Sequence, residues 1–370
     1  MAADHPIFSS ASPFATELKT RVNAYFEQSG LSQRDQPRMF AKTALITAWL
    51  FGSYGALFLA SNACEVVVLA VSLGLAMAGL GFNIQHDGGH AAYSKHEWIN
   101  VGAAHMLDLI GGSSYVWHWK HNVTHHTYAN IAHVDADTDV GPFARLTPHH
   151  AWKPWHLLQH VYIWGLYGML PFKWIFWDDF HDLATGQIGS QHFPRPKPGR
   201  MAATLLMKVQ YFAWAIVLPL MIRPWRGVVL AYVVAALTLG VVLAVVFQLA
   251  HCVGEAEFPV PKAGTHDMNI DWASHQVATT VDFARDSKFF TWYLGGLNFQ
   301  IEHHLFPRVT HLHFPALSKI VEKTCAEYGV PYRAFPTFGM AVRAHARWLR
   351  RMGQRPSEAT TTAAAAPAEA

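Results

Sequence analysis

The stretch VVVLAVSLGLAMAGLGFNIQHDGGH, residues 66–90, joins two different kinds of sequence end to end. Its first twenty residues, 66–85, carry no charge. As an α-helix they are long enough to cross about 30 Å of hydrocarbon. Its last five, His86-Asp-Gly-Gly-His90, place two imidazoles at i and i+4. On a helix those positions share a face, roughly 6 Å apart, so both rings can address one point. An apolar span running straight into paired ligand-type side chains predicts a membrane protein whose chemistry lies at the ends of its spans.

The neighbouring sequence extends that pattern. Residues 43–64 are a second uncharged run, separated from the first by Glu65 alone, and Ser61-Asn62 marks the turn of a hairpin. Residues 228–250 hold fourteen Leu, Ile, Val or Phe. At about −0.3 to −0.6 kcal/mol each, these favour insertion by roughly 4 to 8 kcal/mol. Residues 201–222 are interrupted by Lys208, whose cost is reduced if it snorkels from its place about two turns from one end. The expectation is an all-α integral membrane protein. Four transmembrane helices in two hairpins (43–64 with 66–85, 201–222 with 228–250) carry a cytoplasmic helical cap.

Segments 1–42, 86–200 and 251–370 then share one side and hold 25 of the 28 Lys and Arg. The positive-inside rule makes that side, with both termini, cytoplasmic. No basic region followed by a short apolar core opens the chain, so a cleavable signal peptide is not expected. Residues 152–180 mix five Trp with Lys153, Lys173, Asp178 and Pro171. This composition favours an interfacial amphipathic helix over a span. The domain reading is an N-terminal segment 1–42, a membrane domain 43–340, and a tail 341–370 that is basic and then low-complexity, ending TTTAAAAPAEA.

Composition agrees. Only 14% of residues are charged, against about 25% in an average soluble protein. A net charge of +3 gives no electrostatic footprint for nucleic acid. Cys64, Cys252 and Cys325 lie far apart and offer neither a disulfide framework nor a thiolate metal site.

Histidine is the other anomaly, at 24 residues. None lies in 6–85 or 193–250, whereas fifteen lie in 86–192 and seven in 251–313. A metal transporter needs ligands inside its spans, and here histidines begin where the spans stop. Beside His86 and His90, ligand spacing recurs in His121-Asn-Val-Thr-His125-His126, in His251 directly after the last span, and in Gln300-Ile-Glu-His303-His304. Adjacent histidines on a helix diverge too far to serve one ion comfortably. The doublets 125/126 and 303/304 therefore each straddle two ions, and eight imidazoles imply two metals. Zinc and redox iron both suit imidazole ligands. Asp87, Asp135, Asp137, Asp139 and Glu302 are the acids near enough to orient the rings.

These boxes resemble those of the integral-membrane fatty acid desaturases. HDGGH, HNVTHH and QIEHH occur in the family's order, and QHDGGHAAYS and WYLGGLNFQIEHHLFPRVTHLHFPAL extend the likeness. Glutamine at Gln300, where other desaturases have histidine, resembles the front-end group, which adds a double bond between an existing one and the carboxyl end. The resemblance covers about residues 40–335. It implies two iron ions, O2 as co-substrate, and the ligands His86, His90, His121, His125, His126, His303 and His304. His251 resembles a further family ligand, and Gln300 is a possible ligand or acts through water. It also implies a fatty acyl substrate on lipid, CoA or carrier protein, and a bacterial inner-membrane location. The acyl tunnel has Tyr115, Trp117, Trp119, Trp292, Tyr293, Phe299 and Phe306 as candidate walls, and Gly295-Gly296 would allow close backbone approach. No His-Pro-Gly-Gly motif of a fused cytochrome b5 domain occurs. Electrons are therefore expected from a separate donor, ferredoxin ahead of free cytochrome b5. The competing readings are a histidine-box hydroxylase or ketolase of alkanes or carotenoids, and a histidine-rich protein that binds or transports zinc.

Overall fold

A computed structural model describes residues 5–356. Among the described residues helices predominate, joined by loops and by three two-stranded pairings, Ile7–Ser9 with Asp267–Asp271, Gln187–Ile188 with Gln191–His192, and Asp282–Phe283 with Ala334–Phe335. The helices that position the site are α1 (Pro13–Ser29), α2 (Pro37–Leu57), α3 (Ala63–Gly89), α4 (Gln159–Gly168), α5 (Pro198–Ile222), α6 (Trp225–His251), α7 (Gln300–Leu305), α8 (Phe314–Tyr328) and α9 (Phe338–Gly353).

Three of them, α3, α5 and α6, are long and apolar enough to cross a membrane among the described residues. Helix α2 differs from the span expected over 43–64. It starts at Pro37, which suits the first helical position, and ends at Leu57. Two interactions stop it there. The Arg223 guanidinium donates to the Phe58 and Ala60 carbonyls. Asn62 then caps α3 by accepting from Glu65 N–H at 3.0 Å, while the Glu65 carboxylate accepts from Ser61 N–H at 2.6 Å.

Helices α3 and α6 run side by side, Leu73, Met77 and Leu80 of one sharing a core with Ala235, Leu239 and Val246 of the other. Small residues set the approach: a Cβ added to Gly74 would lie 2.6 Å from the Ala235 carbonyl oxygen. Both helices therefore deliver their C-terminal residues, His86 and His251, to the same end of the bundle. Around that end pack the shorter helices. On α1, Phe14, Leu18, Val22 and Phe26 pack against Phe314, Leu317, Val321 and Cys325 of α8.

Two sequence expectations are corrected here. Lys208 does not snorkel; it is buried, donating to the Gly111 carbonyl at 2.5 Å and pairing with buried Asp179. An ion pair formed inside the protein removes the need to reach water. Residues 152–180 are helical from Pro154 on, with a break at Met169 and a widened turn over Trp174–Asp178, and they expose Trp155, Leu158, Val161, Phe176 and Trp177 while the opposite face packs inward. Helix α4 and the turns after it pack against the middle of α6, where a Cβ on Gly240 would lie 2.5 Å from the Tyr167 carbonyl oxygen and 2.6 Å from Pro171. The absence of a side chain at Gly240 is what admits them. Second, the tail does not begin at 341: α9 buries Ala341, Ala344, His345, Trp348, Leu349 and Met352. Residues 357–370, which include the low-complexity run, lie outside the described residues.

Candidate metal centre

The first box follows a widened helical turn and the second lies across one. His86 N–H bonds the Gly81 carbonyl and His126 N–H bonds the His121 carbonyl, each five residues back. Such π-type turns are rare and concentrate at functional sites. In this register i and i+5 align, which brings the Nε2 atoms of His121 and His126 to 3.3 Å. The extra residue per turn rotates His126 toward His121.

The eight histidines form two abutting groups. In the first, one ring nitrogen from each of His86, His90, His121 and His303 lies within 4.8 Å of the others. In the second the same holds for His125, His251 and His304. His126 sits between, its ring 4.5 Å from His90, 4.6 Å from His303 and 4.3 Å from His304. The doublet 303/304 thus contributes one ring to each group. All eight are buried. Six ring nitrogens (His90 Nε2, His125 Nε2, His126 Nδ1, His251 Nδ1, His303 Nε2 and His304 Nε2) are buried with no hydrogen-bond partner among the described residues. Buried polar atoms are rarely left so, and a cluster of orphaned imidazole nitrogens is the donor set a metal takes.

Two of these rings are held firmly at their other nitrogen. His125 Nδ1–H donates to Asp135 Oδ2 at 2.9 Å, and His304 Nδ1–H donates to Gln276 Oε1 at 2.8 Å. These bonds fix tautomer and ring angle, leaving Nε2 free for a ligand role. Asp135 is itself held by the backbone N–H groups of Asn130 and Asp137. Asp137 binds Lys120 at 2.8 Å and lies 3.7 Å from His121 Nδ1. Gln300 Nε2 donates to His251 Nε2 at 3.0 Å, so the amide reaches the ring that closes the second group. Burial, and then the neighbouring imidazoles, hold His90, His126, His303 and His304 well below the ordinary imidazole range. Burial pulls His125 the same way, but Asp135 outweighs it and raises that ring. The four depressed rings are neutral at physiological pH, with lone pairs to offer.

The remaining acids have other partners. Asp87 turns away from the cluster to accept from Thr310 Oγ1 at 2.8 Å and His311 Nδ1–H at 3.0 Å, and Lys42 Nζ donates to His311 Nε2 at 3.0 Å. Glu302 faces Tyr332, whose hydroxyl lies 3.0 Å from it and 2.5 Å from Asp282. Asp139 caps the local turn at Gly141. His313 bonds the Ser32 carbonyl, and His345 the Cys252 carbonyl, so these rings serve packing.

Of the aromatic residues, Trp117 stacks on His121 at 4.6 Å and meets the edges of His86 and His90. It lies where any side chain on Gly89 would collide with it. Tyr115 and Trp119 belong to a separate cluster with Phe193, and Tyr115 bonds the Pro194 carbonyl at 2.6 Å. Trp292 is partly exposed beside Lys42. Tyr293 bonds the Leu75 carbonyl, and Phe299 and Phe306 pack with the α1–α8 core. Gly295 has φ 60° and backs onto the Phe82 carbonyl, a close approach that fixes α7 beside the end of α3. Gln276, and Phe247 at 4.7 Å from His251, are neighbours of the cluster that the sequence reading did not name. No spacing rule links them to a box; only the fold does.

A family model described as fatty acid desaturase matches residues 62–336. The sn-1 linoleoyl-lipid 6-desaturase of Synechocystis sp. is 35% identical over 356 residues, covering 96% of this chain and 99% of that protein. The protein of the same description from Arthrospira platensis is 37% identical over 354 residues, covering 94% and 95%. The acyl-lipid (8-3)-desaturase of Physcomitrium patens is 39% identical over 345 residues, covering 92% of this chain and 72% of that one.

Proposed function

The chain belongs to the fatty acid desaturase family, and on that footing we propose that it is a membrane-bound front-end desaturase that places a cis double bond in an already unsaturated fatty acyl chain. The observation that carries the reading is the pair of abutting imidazole groups with six orphaned ring nitrogens. We assign His86, His90, His121 and His303 to one iron, His125, His251 and His304 to a second, and His126 to the space between them. Bound there, iron supplies the activation of O2 and the removal of two hydrogens from neighbouring methylenes.

The chain's own residues prepare that site. Neutral, buried imidazoles present lone pairs without a competing proton. Asp135 and Gln276 lock the rings of His125 and His304, and Gln300 holds His251. Burial of all eight rings excludes water from a reaction that must not release its oxidant. Trp117, against three of the rings, is assigned to the wall of the acyl chamber. Helix α2 is assigned as the fourth crossing, completing a hairpin with α3. The arrangement then puts both termini and the histidines on the cytoplasmic side of a bacterial inner membrane, within reach of a separate ferredoxin-type donor.

Relatives described as linoleoyl-lipid 6-desaturase and acyl-lipid (8-3)-desaturase support the front-end regiochemistry and a lipid-linked substrate. Expression in a host fed linoleate, followed by fatty-acid methyl ester analysis, tests the reading. A new double bond on the carboxyl side of C9 is expected. Hydroxylated products alone, or no product beside an active donor, would contradict it.

A further inference from the structure

Helix α9 has two unlike faces. Its inner face buries Ala344, His345, Trp348 and Leu349. Its outer face exposes Arg343, Arg347, Arg350 and Arg351, with Arg355 just beyond its end. The spacing of the first four aligns them along one side. The helix contains no acidic residue, and among the described residues no ion pair uses any of the five arginines. Among the described residues these five guanidinium groups, Arg351 over the Trp348 ring, have no acidic partner and make a local field far stronger than the chain's net charge of +3 conveys.

What lies beneath that surface gives it meaning. His345 Nδ1–H donates to the Cys252 carbonyl at 2.7 Å, and Tyr167 Oη donates to His345 Nε2 at 2.7 Å. Cys252 directly follows His251. Trp348 stacks on Phe258 at 5.0 Å and bonds the Leu146 carbonyl. Helix α9 therefore covers the histidine-bearing end of α6, and about one helix diameter, roughly 10–12 Å, separates its arginine face from the neighbour of His251.

We propose that the arginine face of α9 is the docking surface for an acidic, soluble one-electron carrier protein. The inference rests on the desaturase reading, whose balance requires an external reductant: –CH2–CH2– + O2 + 2 e⁻ + 2 H⁺ gives –CH=CH– + 2 H2O. Each carrier gives up one electron, so two encounters occur per double bond, and the two added protons come from water. Repeated short encounters favour electrostatic steering over a large apolar interface. An anionic membrane surface is the other partner such a face could meet. Charge alone draws a polybasic face toward anionic lipid, but the apolar face of α9 is consumed by the protein, so the helix has nothing to insert and no lasting anchor there.

The test uses the full-length, iron-loaded protein in phosphatidylcholine nanodiscs, with a strongly acidic reduced [2Fe–2S] ferredoxin as probe and linoleoyl lipid as substrate. A triple variant, Arg343→Glu, Arg347→Glu and Arg350→Glu, is expected to lose at least about tenfold in second-order rate constant with ferredoxin at low salt. The wild-type rate should fall with salt while the variant's does not, and the matching Arg→Lys triple should keep most of the rate. Reduction by dithionite should be equal in all three. A Glu triple reduced by ferredoxin at the wild-type rate overturns the proposal. So does an equal loss with dithionite, which would mean a structural role, or an arginine effect seen only in phosphatidylglycerol discs, which would assign the face to lipid. If wild type forms no product with either reductant, the desaturase reading itself fails and takes the docking site with it.

Discussion

The two ends of helices α3 and α6 are built on opposite principles. At their C-terminal end, eight buried imidazoles meet, and the first box is rotated into place by a widened turn. At the other end, near the Ser61–Asn62 turn and Arg223, the same helices leave an apolar cavity of about 340 Å³ lined by Leu73, Met77, Trp214, Ala236 and Leu239. One end is dense and polar; the other leaves an apolar pocket. Equally apolar helices thus serve only as a scaffold, and the chemistry is set by where their apolar character stops. Variants at the two ends should behave accordingly.

The largest effect is expected at His303, whose ring is 4.4 Å from His86 and 4.6 Å from His126. His303→Ala should abolish desaturation while the protein still inserts, checked by product analysis together with membrane fractionation. Next come the groups that orient the rings. Asp135→Asn should lower metal affinity or activity about 10–100-fold, read by metal titration and turnover. An unchanged affinity would mean that the 2.9 Å bond to His125 does not set the ring.

A smaller effect is expected in stability against pH. Burial holds His345 down to about 4. Between pH 6.5 and about 4 the unfolded chain takes up a proton there that the folded chain refuses. Stability should fall as pH drops through that window and level off below it, and His345→Asn should flatten that part of the thermal-melt profile. The smallest effect belongs to the far end. Ala236→Leu fills part of the cavity and should change stability by less than about 1 kcal/mol, with activity nearly unaffected. A large loss of activity from that variant would break the contrast between the two ends.

The parts of this molecule that were legible in the sequence are those written in local pattern. Apolar runs marked α3, α5 and α6, and ligand spacing marked the eight histidines that cluster. What stayed hidden depends on contacts between distant segments. Lys208 read as a liability because its partner Asp179 lies 29 residues earlier. That one face of residues 152–180 packs on α6 stayed hidden because nothing in them reports the Gly240 notch. Five acids were candidates for orienting the rings, and only the fold separates Asp135, which holds His125, from Asp87, which faces His311. Gln276 gave no signal at all, since an amide in a short helix becomes an orienting group only when His304 is folded against it. The widened turns before His86 and His126 were equally silent, because helical spacing is read at 3.6 residues per turn by default.

The central claim is that two abutting imidazole groups hold two irons, and the iron content of purified full-length protein tests it most directly. About two irons per chain are expected, falling sharply in His303→Ala. Two zinc ions with no iron, or an iron content unchanged by His303→Ala, would contradict it.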